Sequence, residues 1–361
     1  MSGDIIFAIG LIIGLLFLLL IGLEIAWSVG VIALVGLVFF VNQPIDQIAY
    51  TMWDSLNSFA LTAMPLFILM GSILGNTGVN EKLFSAINKW TGHLPGGLVI
   101  SVISGNAVFA AMSGSAMAAT ATFGKIAYPA MAKRGYAPSF ALGSIAAGSV
   151  LAPLIPPSIL LILYGAWQGI SIVDLLAAGL VPGIMLTVLL ILTAMIMVKI
   201  NPKLAPPPVK YTWAERGKAL IESLPFVVVI FGVLGAIFGG LMTPTEAGGL
   251  GALLSILLTL YYRRLTFKIL QQSLLETVRV TSFSLFIMAM ATLISHVFNS
   301  AGIIPMLKDY VLAMELGKYT ILFGFFVMYL VMGMFFDSWS MLFLTFPFVM
   351  PIITGVGINP I

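Results

Sequence analysis

Charge is scarce in this chain. Asp, Glu, Lys and Arg make up 8% of its 361 residues against 60% hydrophobic, with a mean hydropathy of +1.13, whereas a soluble domain carries about 25% charged residues. An ordinary soluble fold is excluded and a polytopic membrane protein remains. Cysteine is absent, which removes disulfides and thiolate metal sites and leaves the redox compartment unread. His93 and His296 are the only histidines, and no HExxH or GxSxG segment pairs a nucleophile or a metal with a base, so the chain does not read as an enzyme. A GxxxxGK[ST] loop is also missing, so no cofactor is expected and any pumping draws on an ion gradient or on a partner's ATP. The net charge of +3 comes from basic residues in short loops, which report topology rather than a nucleic-acid partner.

Long apolar runs are what the sequence does have. A helix needs about 20 apolar residues to cross roughly 30 Å of hydrocarbon. By that ruler 5–23, 25–41 and 59–75 are spans, and the first is a retained span because no basic n-region or cleavage site accompanies it. Residues 44–57, with Asp46, Tyr50, Trp53 and Asp54, form an amphipathic connector at the interface. Residues 98–131 break the ruler. Each arm beside Ser113-Gly114-Ser115 has about 15 residues and reaches only about 22 Å, which fits a re-entrant hairpin. Residues 138–169 form a span interrupted at Pro153, Pro156 and Pro157; 174–198, 222–241, 246–262 and 280–300 are further spans, and 320–353 is a second short-armed pair. The expectation is eight crossings and two hairpins.

With a periplasmic N-terminus, the cytoplasmic loops receive Lys133, Arg134, Lys199, Lys203, Lys210 and most other basic residues. Only Lys308 and Lys318 lie outside, and Lys125 falls in a hairpin arm. That is the asymmetry of a positive-inside topology, and it opens the two hairpins to opposite sides. The inversion is echoed in sequence: Leu66-Phe67-Ile68 returns as Leu285-Phe286-Ile287, Gly78-Val79 as Gly302-Ile303, and Pro129, Gly135 and Pro138 return at one constant offset as Pro351, Gly357 and Pro360. The predicted fold is an all-α polytopic membrane protein with inverted repeats, re-entrant helical hairpins and broken transmembrane helices, the architecture of secondary transporters. Its segments are 1–58 (N-terminal scaffold spans and connector), 59–199 (first transport repeat), 200–279 (cytoplasmic loop and scaffold spans) and 280–361 (second repeat). The same offset carries Pro156-Pro157 beyond Ile361, so the chain is expected to be a fragment of a longer polypeptide.

Breaks at membrane depth persist only where they are buried in protein or line a wet cavity, which makes their residues the candidates. Ser113, Gly114 and Ser115 offer hydroxyls and freed backbone groups beside a helix N-terminus suited to a carboxylate; the plainer reading is a tight turn of small residues. Asn106 either adds an amide to substrate or ion or satisfies a neighbouring helix. Gly148, Ser149 and the break through Pro156 and Pro157 release carbonyls, because proline lacks an N–H and clashes with the preceding turn. With the hydroxyls of Ser113 and Ser115 they suit a hard cation such as Na⁺; the alternative is a kink for packing. Asp337, Ser338 and Ser340 lie at the second tip, where an intramembrane carboxylate is either functional or a helix N-cap. Thr243, Thr245 and Glu246 read first as a helix N-terminus and second as ion-coupling groups. His296 reads as a packing residue rather than a proton carrier.

Several motifs in order resemble one family. They are Pro65 to Gly71, Met112-Ser113-Gly114-Ser115-Ala116, Lys133-Arg134-Gly135-Tyr136, Leu154-Ile155-Pro156-Pro157-Ser158 with Tyr164-Gly165, and Thr243-Pro244-Thr245-Glu246-Ala247. Together they resemble the large membrane subunit of tripartite ATP-independent periplasmic (TRAP) transporters. The resemblance implies an elevator-type, Na⁺-coupled permease of the bacterial inner membrane. It also implies import of an organic acid such as a C4-dicarboxylate or sialic acid, with a small membrane subunit and a periplasmic solute-binding protein as partners. A stand-alone carboxylate symporter and a non-transporting scaffold are the rival readings.

Overall fold

The computed structural model describes residues 2–41 and 44–361; positions 1, 42 and 43 of the segment 1–58 lie outside the described residues. Every regular element among the described residues is helical. The chain starts with α1 (Ser2–Leu20), α2 (Ile25–Gly36), which continues into a π-turn at Leu37–Val41, and α3 (Ile45–Leu56). α3 is amphipathic and leaves the rings of Tyr50 and Trp53 exposed, as an interfacial helix does.

A 3₁₀ turn, Phe59–Thr62, then leads into α4 (Ala63–Asn76) and α5 (Asn80–Thr91). The first hairpin follows as α6 (Gly97–Ser113) and α7 (Ala116–Lys133). The Pro-broken span becomes α8 (Pro138–Ser149) and α9 (Ile159–Gln168), with residues 150–158 outside any helix. Next come α10 (Ile172–Ile200), α11 (Trp213–Phe238) and α12 (Pro244–Tyr261). The chain closes with α13 (Phe267–Ser300), α14 (Ile303–Ala313), α15 (Lys318–Met332) and α16 (Ser338–Gly355).

Five helical segments among the described residues are long and apolar enough to cross a membrane, so this is a multi-pass membrane protein. The expected eight crossings are not all visible by length, because each break leaves short helices such as Gly97–Ser113 and Ile159–Gln168. α5, α11, α13 and α14 differ from the sequence expectation: α11 begins at Trp213 rather than 222, and α14 is a helix where no span is expected. α5 was no span, yet it is a helix with one polar face, invisible to a hydropathy ruler. α13 begins at Phe267 rather than near 280, because Gln271, Gln272, Glu276 and Arg279 depress hydropathy without opposing helix.

The chain divides into two compact units. One takes Phe59–Thr281; the other takes the residues up to Ser58 together with Ser282–Ile361. In the second, Val29, Ile32, Ala33 and Leu37 of α2 pack against Ala289, Leu293 and Val297 of α13. Small residues permit that approach: a Cβ on Gly36 would lie 2.6 Å from Val297 Cγ1. Lipid tails are as apolar as leucine, so close packing of this kind, rather than release from water, holds such helices together.

In the unit Phe59–Thr281, α12 lies along α4, with Gly251 facing Met70 Sδ and Gly248 facing Leu66. α5 is tied to the start of α6 where the Thr91 and Ser101 hydroxyls meet at 2.7 Å, and to the segment before α11 where Asn88 Nδ2 donates to Tyr211 Oη at 3.0 Å. The turn after α7 is anchored to the same end of α6. Leu98 N–H donates to the Tyr136 hydroxyl at 3.1 Å, and burial pushes that phenol above its ordinary pKa. α6 thus begins on fixed supports and delivers its far end to the site.

Candidate functional site

α6 and α8 lie side by side, and the predicted site residues meet along them at two levels. At the first, Asn106 faces Gly148: a Cβ on Gly148 would stand 2.7 Å from Asn106 Nδ2. Asn106 is wholly buried, and its Nδ2 donates to Val102 O at 3.0 Å. Its Oδ1 has no hydrogen-bond partner among the described residues, at a cost of about 1–3 kcal/mol for a buried acceptor. Orphaned buried acceptors in native structures ask for a reason, and a bound cation is one of the few that fit.

The second level is the tip, two turns further along the same helix. Ser113 ends α6, Gly114 turns left-handed at φ 55°, and Ser115 opens α7 by accepting from Ala118 N–H at 3.3 Å. The tip rests on the Pro break. A Cβ on Gly114 would fall 3.0 Å from Pro157 O, 3.0 Å from Ile159 N and 2.8 Å from Ile159 Cγ1. Glycine is required here twice, by the left-handed backbone and by the approach of one main chain to another. α4 closes the other side, where a Cβ on Gly71 would meet Ser113 Cα at 2.5 Å.

Between α8 and α9 the chain makes turns rather than helix. Leu151 N–H donates to Gly148 O at 3.3 Å and Ala152 N–H to Ser149 O at 3.2 Å, while Ser149 Oγ donates to Ala146 O at 2.7 Å. Pro153, Pro156 and Pro157 supply no N–H, and the Pro156–Pro157 peptide is cis. Ser158 holds the exit, donating to Pro153 O at 2.7 Å and accepting from Leu161 N–H at 3.4 Å as the N-cap of α9. A hydroxyl-bearing tip, a left-handed glycine, interrupted backbone and an unpaired amide oxygen therefore converge within one unit. The array is rich in oxygen and free of carboxylate, which suits a monovalent hard cation or an anion held by N–H and hydroxyl donors.

The remaining candidates lie at helix N-termini. Asp337 caps α16: it accepts from Trp339 N–H at 3.0 Å and from the Ser340 hydroxyl, and Ser338 is the first residue of the helix. Thr243 and Glu246 form a capping box in which Thr243 N–H and O–H donate to Glu246 Oε2 at 2.8 and 2.9 Å. Glu246 N–H returns the bond to Thr243 Oγ1 at 3.3 Å. These bonds give Asp337 and Glu246 helix-capping work, the first reading offered for the Thr243 segment. Thr245 reaches Phe59 O at 3.5 Å.

Sequence reasoning missed one polar cluster. Asn76 Nδ2 lies 3.0 Å from Glu276 Oε2, 3.1 Å from Ser72 Oγ and 3.1 Å from Ser273 Oγ, and Ser72 Oγ donates to Glu276 at 2.5 Å. The cluster joins α4 to the first turns of α13. Its spacings, four residues from 72 to 76 and three from 273 to 276, put polar groups on one face of each helix, but Glu276 lies in a segment too polar for the hydropathy ruler to read as a span.

The chain matches, over residues 12–361, the family described as tripartite ATP-independent periplasmic transporter, DctM component. It is similar to the sialic acid TRAP transporter large permease SiaM of Vibrio cholerae, 30% identical over 98% of this chain and 82% of that one. It is also similar to the C4-dicarboxylate TRAP large permease DctM of Pseudomonas aeruginosa, 31% identical over 92% of this chain and 78% of the relative. The 2,3-diketo-L-gulonate TRAP large permease YiaN of Escherichia coli is 31% identical, over 94% and 80% respectively.

Two substitutions test this geometry. Gly114→Ala forces a side chain into left-handed backbone and against Pro157, and should lower stability in detergent by about 2 kcal/mol or more; an unchanged unfolding midpoint would contradict the contact. Glu276→Ala strands the Ser72 hydroxyl and takes one acceptor from Asn76 Nδ2, and should cost about 1–3 kcal/mol, with Glu276→Gln recovering part of the loss. Equal midpoints for all three proteins would show that the cluster does not clamp α4 to α13.

Proposed function

Because this chain belongs to the DctM family, the membrane component of tripartite ATP-independent periplasmic transporters, we propose that it is the large permease of a Na⁺-coupled importer of an organic acid in the bacterial inner membrane. The relatives named for sialic acid, C4-dicarboxylates and 2,3-diketo-L-gulonate have in common an acidic, oxygen-rich cargo. The observation that carries the reading is the seat of Gly114 on the Pro157–Ile159 backbone, one level beyond the unpaired Asn106 Oδ1. Two interrupted elements held this closely form a place where cargo can be bound without continuous helix in the way.

On this reading Na⁺ takes oxygens from Asn106, Ser113, Ser115, Gly148 and Ser149. The substrate carboxylate lies by the tip, where the N-terminus of α7 and the hydroxyls favour negative charge. Pro156 and Pro157 shape the wall, and Asp337, Ser338 and Ser340 form the tip of the second hairpin. Oxygen ligands on the cation and donors on the anion make binding of one favour the other, which is the thermodynamic basis of symport. Movement of the hairpins and broken helices as a body, elevator fashion, then exposes the site to each side. The N-terminus is periplasmic, a small membrane subunit completes the scaffold, and a soluble periplasmic protein delivers the acid. Thr243 and Glu246 hold α12 rather than cargo.

Uptake of a labelled organic-acid panel into proteoliposomes containing the full-length permease and its membrane partner tests this, with and without inward Na⁺ and the binding protein. The expected result is uptake that requires both, and an Asn106→Ala variant that folds normally yet needs several-fold more Na⁺ for half-maximal rate. Uptake with Na⁺ alone would point to a stand-alone symporter, and none under any gradient would return the chain to a scaffold.

A further inference from the structure

A second concavity lies away from the broken segments, between α6, α8 and α10. Its volume is about 370 Å³, and its walls, which include Val99, Ile103, Phe140, Ala147, Leu190 and Met197, are almost wholly apolar. Along α8 it runs from Ser139 to Ala147, about 12 Å at 1.5 Å per residue. It is an open groove rather than an enclosed cavity, and it ends at the turns joining α7 to α8 and following α10, where Ser139 and Leu204 form its lip.

Those two turns are bonded to each other by Ala137 N–H donating to Leu204 O at 3.1 Å. Four cations are borne on them or on the adjoining helix ends: Lys133, Arg134, Lys199 and Lys203, all exposed. None makes an ion pair among the described residues, whereas Lys89 reaches Glu222 at 3.8 Å. Counter-charge is also missing from the sequence around them. Between Glu81 and Glu215 the only acidic residue is Asp174, which sits in the first turn of α10, at the opposite end from Lys199. The N-terminus of α8 adds a further positive dipole end at the lip. An unpaired cationic rim above an apolar slot complements one kind of molecule, with an anionic head and a hydrocarbon tail.

We propose that this groove is a binding site for an anionic phospholipid, with an acyl chain between α6, α8 and α10 and the phosphate against Lys133, Arg134, Lys199 and Lys203. Basic residues at the cytoplasmic surface lie level with the headgroups of the leaflet that is rich in anionic lipid, and each adds to the attraction. The seat is separate from the cargo site and calls for no cargo. It would fix the start of α6 and α8, the two helices that carry Asn106 and Gly148.

Native mass spectrometry of the full chain, released from nanodiscs of mixed phosphatidylglycerol and phosphatidylcholine, tests it. Phosphatidylglycerol should be retained over phosphatidylcholine roughly tenfold or more. Neutralising the rim with K133Q, R134Q, K199Q and K203Q together should abolish the preference. Gly143→Phe should remove the retained lipid whatever its head, since a Cβ at Gly143 meets nothing within 4 Å and the ring has the groove to enter. Ala147→Leu fills the groove more mildly and serves if the first variant does not fold. Equal retention of the two lipids overturns the proposal. So does a preference that survives both filling variants, which would mean surface attraction without a seated chain, and so does loss of lipid when the wild-type chain assembles with another subunit or a second copy.

Discussion

Gly114 has no side chain, and so the tip of one interrupted element can rest on the backbone of another. Pro157 O and Ile159 N each lie 3.0 Å from where its Cβ would be. In a bilayer each broken segment alone would present unpaired main-chain groups to hydrocarbon, and each such group costs several kcal/mol. Meeting backbone to backbone, the tip and the break shelter one another, while Ser115 and Ser158 cap the helices that restart on either side. Everything else in the unit serves to bring these two places together. α4 backs the tip through Gly71, the start of α6 is anchored by Tyr136 and Thr91, and α8 runs beside α6 so that Gly148 meets Asn106.

That arrangement separates two kinds of polar group. Those at helix starts are fully used: Glu246 and Thr243 exchange bonds, as do Glu215 and Thr212, and Asp337 takes the amide and hydroxyl offered at the second tip. Asn106 Oδ1 is not used. An acceptor kept free inside protein at a cost of about 1–3 kcal/mol is a better candidate for cargo than a carboxylate already engaged. This ranking places the first hairpin's Asn106 above Asp337, although an intramembrane acid draws attention first.

Much of this was legible in the sequence because it is local. Glycine and serine between two short apolar arms announce a hairpin tip, and three prolines in five positions announce a break; α6, α7, α8 and α9 fall close to the residues expected. What stayed hidden depends on polar helices or on distance. α5 and the first turns of α13 are helical but too polar for a hydropathy ruler, so Glu276 lies outside every expected span. Its partners Ser72 and Asn76 are some 200 positions away, and no local pattern signals such a contact. Likewise, Asn106 could be singled out for its type, but only packing reveals Gly148 opposite it and leaves its oxygen unpaired.

On the proposed function, the tip and the break form one ion- and substrate-binding place. The absence of cysteine allows a direct measurement: a single Ala116→Cys beside the tip, outside the proposed ligand set, with its rate of modification by a membrane-permeant thiol reagent followed in Na⁺ or K⁺. The expected result is slower modification in Na⁺ than in K⁺, further slowing when the transported acid is added, and no ion dependence at a control Leu189→Cys on α10. Identical rates at Ala116→Cys in Na⁺ and K⁺, with or without the acid, would contradict it.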